Sequence, residues 1–363
     1  MRYSIALTAS TAERIKKESS KTDVPRSDLK LLSQSLNASF IEPKSCPIEP
    51  IDKIRAKLAS TPENWAFARA IASQLGSNDV VFCPGEEIGI PLASICSRKQ
   101  ERPKIVVWFH RITGLRTRIA LKLFNIANTV DLSVVNTFPN KDFLKSYLKL
   151  SQKQICFLWH PIDCSYYKPK VASPNKTRPS IVSVGLEQRD YKLLAAATEE
   201  LNVDVRVAGF SQFQSRIAKS FPKAMPENMT NQRYSWSELL QLYSDANVAV
   251  ISLKENDGAA GVTALLEAMA CKKPIVCVRT KGISDYLPDE RAVITVEPGD
   301  TASLQTAILY LLNNPEKAEA MAERAYEVVW ERHNLEGGVK VLSEFIQTLE
   351  VQSSQEDKYL CHN

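Results

Sequence analysis

Short apolar runs recur along this chain, set between stretches in which apolar residues return every three or four positions. The runs at 3–8, 79–84, 104–110, 131–137 and 155–159 read as buried strands, and so do those at 180–185, 203–209, 247–253 and 275–278. The periodic stretches read as helices at 65–75, about 114–128, about 140–149, from Lys192 to about Leu201, 237–246 and 262–270. Closing helices follow at 301–313, 315–330 and 336–349. Regular alternation of strand and helix predicts parallel, doubly wound sheets.

Several segments break the rhythm. Residues 21–63 are polar and dotted with proline, and the pattern assigns them nothing. Gly85 to Pro91 reads as a loop after a strand, 211–233 as irregular, and 351–363 as a disordered tail. Lys170 to Pro179, with three prolines counting Pro169, is the best linker. The expected division is therefore a first domain over 1–170, a second over 171–335, a helix at 336–350 and the tail. Ser237 is the expected N-cap of its helix. In the 114–128 helix, Leu115, Ile119, Leu123 and Ile126 lie beside Arg116, Arg118 and Lys122. Either that apolar side packs on the sheet, or the helix lies on an anionic membrane.

Composition sets bounds on this picture. With 44% apolar and 24% charged residues over 363 positions, two globular domains of ordinary size are expected. No apolar run approaches the roughly 20 residues that span a bilayer, and the first residues hold too short an apolar core for a signal peptide. A cytoplasmic protein is expected. Its eight cysteines include no C-x-x-C pair and read as reduced thiols. The net charge of +5 is uneven. Residues 1–170 hold 26 Lys+Arg against 15 Asp+Glu, or +11, and the remainder holds 20 against 26, or −6. The basic half suits an anionic membrane surface or an acidic acceptor, or it serves solubility alone.

Chemistry concentrates in residues 257–276. Gly258, Ala259, Ala260 and Gly261 form a loop of very small residues through which a ligand can approach the backbone. Val262, Leu265, Leu266 and Met269 follow at helical spacing, with one carboxylate, Glu267, among them. Lys272 and Lys273 suit the helix C-terminus, and Pro274 stops it. The first amides of such a helix point outward with partial positive charge, so Gly261, Val262 and Thr263 would receive a diphosphate. Glu267 lies about one and a half turns deeper and leans back toward the N-terminus, where it would accept two ribose hydroxyls. The plainer alternative is a buried helix with one solvated glutamate.

Glu267-Ala-Met-Ala270 followed by Lys273-Pro-Ile-Val276 resembles the donor-binding signature of glycosyltransferase family 4, whose members are retaining enzymes. There an E-x7-E motif precedes A-M-A-x-G-K-P-V-V. The second glutamate maps onto Glu267. The first maps onto Ala259 and is missing, and Lys272 replaces a usual glycine. The resemblance implies the GT-B fold: α/β, with two Rossmann-like doubly wound parallel-sheet domains facing a cleft and a C-terminal helix crossing back to the first domain. It implies a nucleotide-sugar donor, an acceptor hydroxyl, and no cofactor or metal; no D-x-D triad occurs.

Particular residues follow from the same resemblance. Arg189 and Lys192, in the turn after Gly185, would bind the donor diphosphate; as cations at a helix start they are otherwise misplaced against the dipole. His110, at a strand end, would contact the donor sugar as the catalytic-site histidine, and Gly258, Ala259 and Ala260 would line that sugar. His160-Pro-Ile-Asp163 with Tyr167-Lys-Pro169 resembles the family's interdomain segment. Residues 280–286 resemble its G-G-x-x-E turn, with Asp285 for Glu.

The expected function is retaining transfer of a sugar to an acceptor hydroxyl. Alternatives are a catalytically silent protein that binds nucleotide sugar or a partner, for which Ala259 argues, and a nucleotide-sugar epimerase of the same fold. A nicotinamide-dependent oxidoreductase is disfavoured because no G-x-G-x-x-G follows a strand. Nucleic-acid binding has only the charge excess in its favour.

Overall fold

The computed structural model describes residues 1–19, 23–43, 45–110, 112, 114–174, 177–210 and 219–360, with side chains except at 17–19 and 350–360. The chain forms two compact units. The first comprises residues 1–22, 26–159 and 336–363, and the second 23–25 and 160–335.

The first unit is built on a six-stranded parallel sheet. Its strands are β1 Arg2–Ala6, β2 Ser39–Ile41, β3 Asp79–Cys83, β4 Lys104–Trp108, β5 Leu132–Val135 and β6 Ile155–Phe157, in the order β2-β1-β3-β4-β5-β6. The central strands are apolar on both faces, as helix-covered parallel strands must be, and Val81, Val107 and Val135 are fully buried. The covering helices are α1 Ala9–Ser19, α2 Asp28–Leu36, α3 Pro50–Ala56, α4 Pro62–Gln74, α5 Glu86–Cys96, α6 Leu115–Leu123, α7 Ile126–Thr129 and α8 Phe138–Tyr147. Proline in the first turn and a capping threonine start two of them. Thr61 accepts from the amide of Asn64, and Thr137 from that of Asn140.

Three expectations are corrected here. The unassigned 21–63 stretch holds α2, β2 and α3. The expected loop at 85–91 opens α5, which carries Pro91 inside it. A proline cannot donate to the carbonyl four residues back. That carbonyl, on Glu87, instead accepts from the Ser60 hydroxyl, so the helix runs through. The expected helix at 114–128 divides at Asn125, which takes a left-handed conformation (φ 53°) between α6 and α7. Within α6 the inward residues are Ala120 and Leu121, whereas Leu115, Ile119 and Leu123 point outward.

The second unit has its own parallel sheet of β7 Ser180–Val184, β8 Asp204–Ala208, β9 Met229–Asn231, β10 Val248–Ile251, β11 Ile275–Val278 and β12 Ile294–Val296, ordered β12-β11-β10-β7-β8-β9. The order reverses direction between β7 and β10. In an open α/β sheet that reversal leaves a crevice at the carboxyl ends of the two strands, where ligands collect. The helices are α9 Tyr191–Thr198, α10 Trp236–Asp245, α11 Val262–Ala270, α12 Thr301–Asn313 and α13 Pro315–His333. Ser235, not Ser237, caps α10, in a capping box with Glu238. β9 lies in the stretch expected to be irregular, of which 211–218 fall outside the described residues.

The unit begins at His160 because the His160-Pro-Ile segment is bound by its far end. The Ile162 amide donates to the His333 carbonyl at 2.7 Å, His333 Nδ1 donates to the His160 carbonyl at 3.1 Å, and the His160 amide donates to the Tyr286 hydroxyl at 3.3 Å. The last helix, α14 Leu335–Leu360, runs past the expected end at 349. Residues 351–360 contain no glycine or proline to stop it; 361–363 lie outside the described residues. Among the described residues no helix is long and apolar enough to cross a membrane.

Candidate active site

At the switch point of the second sheet two turns are joined. β7 leads through Gly185 into residues 186–190, and β10 leads into 252–261. Arg189 pairs with Leu253 in an antiparallel bridge, the Asp190 amide donates to the Ser252 carbonyl at 3.1 Å, and the Lys254 amide donates to the Gln188 carbonyl at 2.8 Å. Asp190 then caps α9 by accepting from the Leu193 amide at 3.1 Å.

Arg189 and Lys192 differ in their setting. Arg189 is only 4% exposed. Its Nε donates to the Val184 carbonyl at 2.9 Å and its Nη1 to the Glu187 carbonyl at 3.0 Å. Most of the fork expected for phosphate is thus engaged in holding the Gly185 turn. Lys192 stands exposed in the first turn of α9.

The small-residue loop has a clear structural basis. Gly261 begins α11 with φ 92°, a conformation that side chains resist, and no side chain caps the helix. A methyl group there would press on Ile251, Leu253 and Ile283 at 3.1–3.2 Å. Gly282, in the turn after β11, is required by contact. Its amide donates to the Asn256 carbonyl at 3.2 Å, and a Cβ would lie 1.8 Å from the Gly258 carbonyl oxygen. Gly258 and Thr263 are exposed, Ala259, Ala260 and Gly261 half-buried, and Val262 buried. The Asn256 side chain donates to the Lys254 carbonyl at 2.7 Å, which fixes the loop's start.

Glu267 lies on the same helix but is buried, at 5% exposure. Tyr243 of α10 donates its hydroxyl to Glu267 Oε2 at 2.8 Å, and Tyr167 supplies a second hydroxyl. Burial pushes the Glu267 carboxyl above its ordinary range, and the two hydroxyls and the charge of Arg189 pull it back. Burial also raises both tyrosines, which therefore remain protonated donors. Sequence reasoning missed both. For Tyr243 the available signal was a tyrosine on an apolar helix face, since a buried hydroxyl needs a partner.

His110 belongs to the first unit and is exposed. Its amide donates to Glu86 Oε2 at 2.9 Å, and its Nε2 donates to the Pro84 carbonyl at 2.9 Å. Its ring stacks on Trp108 at 5.3 Å, and Asn140 donates to its carbonyl at 3.2 Å. With the proton on Nε2, Nδ1 is left as an acceptor. Among the described residues, no three His, Cys, Asp or Glu side chains gather as a metal site would need.

Two six-stranded parallel α/β units in one chain, each of Rossmann type, define a GT-B glycosyltransferase fold. Solved structures share it over nearly the whole chain. A glycosyltransferase from Rickettsia africae matches at 15% identity with a TM-score of 0.66, covering 96% of this chain and 98% of that one. Sucrose-phosphate synthase from Thermosynechococcus elongatus matches at 15% identity and 0.72, covering 97% and 100%. Anabaena HepE in complex with UDP-glucose matches at 13% and 0.65, covering 97% and 100%. Residues 191–328, most of the second unit, match the family Glycosyl transferases group 1, and the likeness seen at 257–276, which lies inside that stretch, is borne out. No curated protein sequence matches the chain.

Proposed function

We propose that the protein transfers a hexose from a nucleotide-sugar donor to an acceptor hydroxyl, with retention of configuration and without a metal. The observation that carries this reading is the uncapped start of α11 at Gly261, set at the switch point inside the family-matched stretch. In this reading the diphosphate rests on the amides of Gly261, Val262 and Thr263, with Lys192 as a mobile counter-charge and Arg189 behind it. Leaving-group departure is eased by these fixed dipoles and charges. A carboxylate offers about four lone-pair sites. Two face Tyr243 and Tyr167, so Glu267 retains capacity for the ribose. Gly258, Ala259 and Ala260 border the sugar, and His110 contacts it. HepE was solved with UDP-glucose, which makes that donor the first to try.

A second reading has one observation in its favour. Ala259 stands where the family's first motif glutamate would be, so the protein binds a nucleotide sugar without turning it over. Thermal shift with UDP, GDP, ADP and UDP-glucose tests the shared part: a ligand at 100 times its Kd adds about 2.7 kcal/mol of stability. Lys192→Ala, at an exposed site, should reduce that gain. Absence of a shift with every nucleotide refutes both readings. Release of nucleoside diphosphate from the bound donor, in the presence of sugar and lipid-linked acceptors, separates them.

A further inference from the structure

We propose that α6 docks the first unit onto an anionic lipid surface, lying in the plane of the interface. The inference does not rest on the donor chemistry above. Leu115, Ile119 and Leu123 are 75%, 47% and 62% exposed. Their spacing of four residues stacks them into one outward stripe along the helix. Soluble surfaces scatter single apolar residues; three aligned on one helix face mark a docking surface.

The charges around the stripe choose the partner. Arg118 and Lys122, four apart, run along one flank, and Arg116 stands on the other. Between Glu101 and Asp131 the chain has no acidic residue at all. The cations are also held in position. The Arg118 guanidinium lies 5.0 Å from the centre of the Phe143 ring, Lys122 Nζ lies 4.4 Å from that of Tyr147, and Arg116 donates to the Lys57 carbonyl. That last contact brings the end of α3 beside α6, and α3 adds two exposed apolar residues, Ile51 at 41% and Ile54 at 60%. A second copy of this face would set like charges against each other. Anionic headgroups satisfy the cations while acyl chains receive the stripe. No described helix is long and apolar enough to span a bilayer, so the contact is with the surface.

Vesicle flotation of the full chain tests this. The protein should float with vesicles of phosphatidylcholine mixed with phosphatidylglycerol and stay behind with phosphatidylcholine alone. The L115S/I119S/L123S variant should partition at least about tenfold less, with an unchanged melting temperature, since the three side chains are exposed. R116Q/R118Q/K122Q should likewise lose binding, as should the unaltered protein in about 1 M salt, where charges are screened beyond about 3 Å. Failure of the unaltered protein to float, or equal flotation of the serine variant, overturns the proposal. So does a dimer in light scattering that the serine substitutions dissociate, for the stripe would then be a contact between copies.

Discussion

The Tyr243 hydroxyl donates to Glu267 Oε2 at 2.8 Å, and both side chains are buried. This bond ties α10 to α11, the helix that the small-residue loop leads into. It also fixes an acid whose proton affinity is raised by burial on the helix whose first amides form the proposed diphosphate site.

The carboxyl makes stability depend on pH in an unusual direction. Its folded pKa lies above the unfolded value of 4.5, so as pH rises the unfolded chain loses its proton first and folding loses stability until the folded carboxyl ionises. Glu267→Gln should remove that decline in urea titrations run from acid to neutral pH. Tyr243→Phe should cost about 1–3 kcal/mol and carry the decline to higher pH, because a buried acceptor loses its donor.

His333 acts with the opposite sign. It is 2% exposed, and burial lowers its pKa to about 4. The unfolded chain therefore takes up its proton first as pH falls below about 6.5, and stability drains away until about pH 4, by roughly 3 kcal/mol over that window. His333→Asn keeps a donor for the His160 carbonyl. Subtracting its stability profile from that of the unaltered protein should isolate this loss.

Arg189 and Lys192 should separate stability from binding. Arg189→Ala leaves the Val184 and Glu187 carbonyls without their partner and should lower the unfolding free energy by about 2–4 kcal/mol. Lys192→Ala should leave unfolding within about 0.5 kcal/mol and weaken nucleoside diphosphate binding in calorimetry. Equal nucleotide affinity in Lys192→Ala and the unaltered protein would remove this lysine from the site.

Gly282→Ala should disturb the donor loop from outside it. Its Cβ would collide with the Gly258 backbone, so a loss of about 2 kcal/mol or more is expected. Nucleotide affinity should fall with it, measured below the melting temperature. Gly76→Ala, where a Cβ meets nothing within 4 Å, is the matched control.

How much could be read in advance depended on whether a local signal decided the matter. β4 and β10 were legible because helix-covered strands leave uninterrupted apolar runs. Gly261, Thr263 and Glu267 were legible as one helix start. The orientation of α6 was not, because apolar residues occupy both of its faces and periodicity cannot say which one the sheet takes. α5 was hidden by Pro91, whose stranded carbonyl is satisfied by Ser60, 27 residues from Glu87. The cap of α10 was within reach, since Ser235-x-x-Glu238 is a capping-box spacing. The burial of Arg189 and Glu267 depended on partners in other elements.

The bridge of Arg189 to Leu253, with its neighbouring amide bonds, has a mechanical result. The segment that carries Lys192 and the one that opens onto Gly261 are riveted together, although more than fifty residues of chain separate them. Anything that pulls on one rim of the proposed pocket is transmitted to the other through backbone alone, so the two rims shift as a single piece.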